Sequence, residues 1–348
     1  MRVFGRRKVL ALAAGVLAAA SACTGNAPPP SPSKQAVSAS STPTPSASAV
    51  AITRAEAAKE FHDILVTDDA LRVKSDEEDL EGRLDLAAKD LTTGGQVLLT
   101  VAAYLSTDYA PPRYKWGPPT LYVPRFVPEE KAPWFSALAT RDGRPTLLTF
   151  AKSADDWRLS SVAQLLPGQQ LPEIELDAEG YATALAPDDK TVTISPQFMQ
   201  PVHASVAETG TAGVTAGLLA PGPYTTEVAE QIAELRQKAK GDRKVGGYSY
   251  DSIFSADNFP VYALRTKDGG ALIQYSLSRT STTTTKTAED DYIPVPESAR
   301  WAISAPVLRR TLRLIETHQY ATAVPPLSRP SAAAVIAHEG ALTRASGQ

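Results

Sequence analysis

The sequence predicts an α+β protein made of two tandem units, each with N-terminal helices packed on a curved antiparallel sheet. Three observations predict it. Residues 133–153, PWFSALATRDGRPTLLTFAKS, are echoed 126 positions later by residues 259–278, FPVYALRTKDGGALIQYSLS. Both copies pass from an apolar run through a Thr-Arg/Lys-Asp-Gly turn and resume as an apolar strand, which is the signature of a β-hairpin. Helical apolar spacing precedes each hairpin, so helices followed by strands are written twice, and segregated helices and strands mean α+β.

The chain has 348 residues, 43% hydrophobic and 21% charged. That is enough to bury a full core and to form two domains of ordinary size. Without the four basic residues of the leader, Arg2, Arg6, Arg7 and Lys8, it carries 31 basic against 38 acidic residues, a net charge of about −7. A nucleic-acid partner is excluded, because it requires a basic face to neutralise phosphates.

Residues 1–22 read as an export signal: basic MRVFGRRK, the apolar run of residues 9–20, then small Ser21 and Ala22 before Cys23. The apolar run falls short of the roughly 20 residues that span a bilayer. Small residues before a cysteine resemble the lipobox of bacterial lipoproteins, with Ala20 where that pattern usually has Leu. The resemblance implies that Cys23 receives a diacylglycerol, becomes the new N-terminus and holds the protein on the outer face of the plasma membrane. Arg6 and Arg7 resemble the twin-arginine export signal, and both that route and the general secretory route stay open. Cys23 is the sole cysteine, so no disulfide forms within the chain and no thiol metal site or nucleophile exists. Residues 23–50 are mostly Pro, Ser, Thr and Ala with one charge, Lys34. They bury too little apolar surface to fold and form a tether.

The first unit is expected over 51–180 and the second over 181–348. Thr53 and Glu56 have capping-box spacing, with Ala57, Phe61, Ile64 and Leu65 on one helix face. A second helix is predicted over 77–89, where the acidic run 76–79 lacks the ligand alternation of a calcium loop and reads as a helix N-terminus. Residues 97–105 follow as helix or strand, then a Pro-rich loop over 111–128, the hairpin, and a third strand from Asp155 towards Leu166. In the second unit Ser195-Pro196 caps a helix with Phe198, Val202, Ser205 and Val206 inward. Another is predicted over 226–240 with Val228, Ile232 and Leu235 inward. After the second hairpin the strand continues through the Ser/Thr run to Thr285. Residues 307–320 and 332–338 close the unit as strands, with a helix over 302–314 as the alternative.

This order resembles the cone-shaped nuclear-transport-factor-2-like fold, in which bent strands wrap around an N-terminal helix. The whole chain resembles uncharacterised secreted lipoproteins of actinobacteria such as Streptomyces, in its leader, its lipobox, its spacer, its two units and its tail from Ala334 to Gly347. That resemblance brings no activity with it. It implies two units whose sheets face one another, since isolated cone domains pair through their sheets.

No phosphate loop and no nucleophile elbow is present. The histidines His62, His203, His318 and His338 are far apart, and no pair has metal spacing, so no metal and no cofactor is expected. His62 and His203 lie on the first helix of each unit, at positions that look into the cavity of a cone fold. The aromatics Tyr114, Trp116, Tyr248 and Tyr250 stand before the hairpins and are the candidate binding surface, because aromatic rings are amphipathic contact residues. The functional expectation is a lipid-anchored envelope module that binds a small ligand or an envelope protein. The alternatives are a cone-fold acid/base enzyme of the isomerase or dehydratase kind and a structural envelope component.

Overall fold

Thr53 opens the folded body with the capping box its spacing predicts. Its hydroxyl accepts from the Glu56 N–H at 3.2 Å and the Glu56 carboxylate accepts from the Thr53 N–H at 2.7 Å. Helix α1 (Arg54–Leu71) follows and buries Ala57, Phe61, Ile64 and Leu65. This is a computed structural model, which describes residues 50–73, 79–241, 247–286 and 291–348. Arg6, Arg7, Cys23, residues 24–49 of the tether and residues 76–78 of the acidic run lie outside the described residues.

The helix predicted over 77–89 is observed as α2 (Leu80–Asp85) running into a π-turn, Leu86–Asp90, with Ala87 and Ala88 buried. Residues 97–105 resolve as helix, within α3 (Gly95–Ser106). Strands β1 (Thr120–Tyr122), β2 (Trp134–Arg141), β3 (Arg144–Ser153) and β4 (Asp156–Leu165) complete this half. Helices α4 (Pro196–Thr209) and α5 (Thr226–Gly241) open the other. They precede β5 (Tyr248–Ser255), β6 (Tyr262–Arg265), β7 (Ala271–Thr285), the short pair β8 (Ile293–Pro294) and β9 (Val307–Leu308), β10 (Thr311–Val324) and β11 (Ala334–Gly347).

The first Asp-Gly turn is a two-residue connection. Arg141 pairs with Arg144, and Asp142 and Gly143 both have positive φ, 51° and 80°, as a type I′ turn requires. An added Cβ at Gly143 meets nothing within 4 Å. Gly143→Ala is therefore expected to cost only the backbone term, about 1–2 kcal/mol, read as a shift of the denaturant midpoint without a change in slope. The second turn is longer: Asp268 accepts from the Thr266 hydroxyl and the Gly270 N–H, and only Gly269 has positive φ.

Two helix faces differ from the expected ones. On α4 the buried residues are Pro196, Met199, Gln200, His203, Val206 and Ala207, while Phe198 is 54% exposed. The buried stripe contains two polar side chains, so apolar spacing alone points about one residue off. On α5 Val228 and Ile232 are buried, but Leu235 is 41% exposed. The helix considered over 302–314 does not form, because Thr311–Val324 is a strand hydrogen-bonded on both sides, to β7 and to β11.

Residues 51–180 and 181–348 supply strands to one sheet within a single compact unit, Ser48–Gln348. Its order is β1-β2-β3-β4-β11-β10-β7-β5, with β6 also on β7. The junction is short: β4 and β11 pair only at Leu165–Ala337 and Gln164–His338. At that junction the sheet folds over. Phe135, Leu148 and Phe150 pack outward against α1, and Ile273, Tyr275 and Tyr320 pack outward against α4 and α5. Trp134, Leu147 and Ala163 meet Tyr262, Leu264, Leu272 and Ala321 between the two half-sheets.

Part of that inner layer is polar. Gln274 donates to Ser136 Oγ at 2.8 Å and accepts from the Thr149 hydroxyl. The register of β3 and β4 slips where Thr149 faces Ser161 and Phe150 faces Leu159, leaving Ser160 in a bulge. Gln319 of β10 reaches this bulge from the facing half-sheet. Its Oε1 accepts from the Val162 N–H at 2.8 Å and its Nε2 donates to the Ser160 carbonyl at 3.2 Å. The Ser160 hydroxyl meets the Tyr262 hydroxyl at 2.7 Å, and burial pushes that phenol up to about 12.

Candidate functional site

A cavity of about 160 Å³ opens between α1, α3, the loop through Tyr114 and Trp116, and the middle of β11. Helical spacing places Asp68 and Arg72 together at the end of α1. Arg72 Nε donates to Asp68 Oδ2 at 2.7 Å and its Nη1 donates to the Pro112 carbonyl at 3.0 Å. Burial works against the Arg72 cation, but Asp68, together with Tyr114 and Tyr104, more than offsets it, so the guanidinium is held above its ordinary pKa. Across the cavity Arg141, the last residue of β2, is ion-paired with Glu339 of β11. The lining therefore carries two cations and two anions, already matched.

The aromatic loop is pinned to the first hairpin. Gly117 N–H donates to the Thr140 carbonyl at 2.8 Å, and Asp142 N–H donates to the Lys115 carbonyl at 2.9 Å. This sets Tyr114 beside both arginines, whose Cζ atoms lie 5.2 Å (Arg72) and 4.9 Å (Arg141) from its ring centroid. Trp116 meets Tyr114 edge-on at 6.3 Å. From α3, Gln96 and Thr100 complete the wall. Gln96 is 9% exposed; its Nε2 donates to Thr100 Oγ1 at 3.3 Å, and its Oε1 has no partner in the protein.

Tyr114 and Trp116 are thus brought together in a cavity, whereas Tyr248 and Tyr250 are elsewhere. Both point inward from β5: Tyr248 donates to the Tyr292 carbonyl at 2.6 Å, and Tyr250 packs on the core beneath α5. They cover the sheet. His62 is exposed on α1, one position past the buried Phe61, and so does not face a cavity. His203 is fully buried and both its ring nitrogens are engaged.

His203 belongs to a cluster that sequence spacing does not reveal. Its Nε2 lies 2.7 Å from the Tyr224 carbonyl, which only accepts, so Nε2 carries the proton and Nδ1 accepts from the Tyr275 hydroxyl at 2.7 Å. Tyr275 in turn meets Thr322 at 2.8 Å. His318 and His338, from neighbouring strands, share a hydrogen bond of 3.0 Å, and His338 stacks on Tyr224. A Cβ at Gly340 would sit 2.4 Å from His318 Nδ1, so only glycine admits this pair. Burial lowers His203 to about 4, and burial with the neighbouring imidazoles lowers His338 to about 3. Among the described residues no group of His, Cys, Asp or Glu is arranged to hold a metal ion.

Sequence reasoning missed Asp68, Arg72, Gln96, Arg141 and Glu339, which come from four separate elements. The signals that point to them are faint: the i,i+4 spacing of Asp68 and Arg72, and the position of Arg141 beside the Asp-Gly turn.

Helices packed on a folded-over antiparallel sheet make this an α+β protein, with an amphipathic cavity at the edge of the first half. The chain belongs to the family described as Domain of unknown function (DUF8094), whose model matches residues 43–347. It is 28% identical over 286 residues to an uncharacterised lipoprotein of Streptomyces coelicolor, covering 77% of this chain and 78% of the relative. No solved structure matches the chain significantly. Among the described residues no helix is long and apolar enough to cross a membrane.

Proposed function

We propose that this protein is a lipid-anchored module on the extracytoplasmic face of the plasma membrane that binds a small ligand in the cavity beneath Tyr114 and Trp116. One observation carries the reading: two aromatic rings and a buried amide oxygen without a partner line a cavity whose charged groups are already paired. The leader, the small residues before Cys23 and the lipoprotein named among its relatives support a diacylglycerol on Cys23 as the membrane anchor. Binding is favoured over acid/base catalysis because Asp68 and Glu339 are each engaged by an arginine, which leaves neither as an unengaged general base. Descent of the two halves from one nuclear-transport-factor-2-like unit belongs with this reading. It is supported by the sheet order, in which β2-β3-β4 and β6-β7-β10 approach β11 from opposite sides.

A thermal-shift screen of small polar metabolites tests the cavity. At a ligand concentration 100 times Kd, binding stabilises the native state by about 2.7 kcal/mol. At least one compound is expected to stabilise the wild type and to lose that effect in Tyr114→Ala. An equal shift in Tyr114→Ala, or no stabilising compound in the screen, overturns the reading.

A further inference from the structure

We propose that the cavity takes a neutral, polyhydroxylated ring, a single sugar residue; this rests on the reading of the cavity as a binding site. Size is the first argument. At about 160 Å³ the cavity equals roughly five waters' share of liquid volume at about 30 Å³ each. It lies below the roughly 300–1,000 Å³ of pockets for drug-sized ligands, so a single ring matches its size.

Charge is the second. Arg72 and Arg141 are each matched by a carboxylate, Asp68 and Glu339. An anionic ligand has to compete with those carboxylates for the arginines and also faces their like charge; a cationic ligand meets the converse. Hydroxyl groups donate to carboxylate oxygens and accept from guanidinium N–H groups, so they use both members of a pair without separating it.

Hydrogen bonding and shape are the third. The Gln96 Oε1 is buried with no donor in the protein, and a buried acceptor left unmade costs about 1–3 kcal/mol. A ligand hydroxyl supplies the missing donor. The Trp116 and Tyr114 rings, with Leu99 and Val162 across from them, offer apolar surface to the C–H faces of a sugar ring.

The test is ligand-observed NMR on the full-length protein in a detergent without a sugar headgroup. The probes are glucose, galactose, mannose, arabinose and N-acetylglucosamine, with alanine as a zwitterion and acetate as an anion. At least one sugar is expected to bind the wild type, and about tenfold or more weakly to Gln96→Leu and to Trp116→Ala, following the loss of one donor–acceptor pair or one ring face. Gln96→Leu keeps the test valid if Trp116→Ala fails to fold. Cavity-dependent binding of alanine or acetate without sugar binding overturns the sugar class and leaves the binding cavity standing. Sugar binding unchanged in both variants overturns the cavity as well. No binding by any probe overturns the sugar proposal, and the wider metabolite screen then decides the cavity by itself.

Discussion

Lowering the pH from 6.5 towards 4 is expected to destabilise the protein steeply, by up to about 1.4 kcal/mol per pH unit for each histidine that stays neutral in the fold. His203 and His338 are those histidines, held at about 4 and about 3 against 6.5 in the unfolded chain. In this window the unfolded state binds more protons than the native one, so stability rises with pH up to about 6.5 and their contribution is level above it. It falls as pH drops, until about 4 for His203 and about 3 for His338. The chemistry is explicit. His203 is fixed as the Nε2–H tautomer by the Tyr224 carbonyl, and a second proton on Nδ1 collides with the Tyr275 hydroxyl that donates to it. The His318–His338 bond needs one donor and one acceptor, which two protonated rings cannot supply. Denaturant midpoints measured at pH 7, 6, 5 and 4 check this. His338→Gln is expected to remove about half the slope; an unchanged slope refutes the assignment.

Gln319→Ala is expected to cost more than Gln274→Ala, although both glutamines are buried between the half-sheets. Gln319 bonds two backbone groups of a bulged strand, the Val162 N–H and the Ser160 carbonyl. Leaving both buried and unmade costs about 1–3 kcal/mol each, so a total loss of about 2–6 kcal/mol is expected. Gln274 bonds to the hydroxyls of Ser136 and Thr149, which lie 3.1 Å apart and can turn to each other. Its removal leaves mainly a cavity. Chemical denaturation of the two variants measures the difference, and equal losses would show that the bulge contacts contribute little.

Local chemistry was the legible part of the sequence. Thr53 and Glu56, Asp142 and Gly143, and the apolar run ending in Phe150 carry their conformations within a few residues, and each is found as read. What depends on partners far away was not legible. The face of α4 is set by Gln200 and His203, which are buried because Phe259, Ser276, Tyr275 and Tyr224 satisfy them; apolar spacing has no knowledge of those bonds. Likewise the histidine cluster joins a helix to two strands more than a hundred residues away. For the site, Tyr114 and Trp116 were visible as residue types, while their setting depends on Arg141 pairing with Glu339, 198 positions further on.

Strand β11 follows every other described strand in the chain, yet it sits in the middle of the sheet between β4 and β10. The order in which the polypeptide is made therefore runs against the order in which it is held together. During synthesis β4 and β10 exist with bare edges until residues 334–347 arrive, and unpaired edges are templates for association with other chains. Glu339 also comes with that strand, so the cavity acquires its fourth charge at the same moment. Loss of those fourteen residues removes the centre of the sheet and not its fringe.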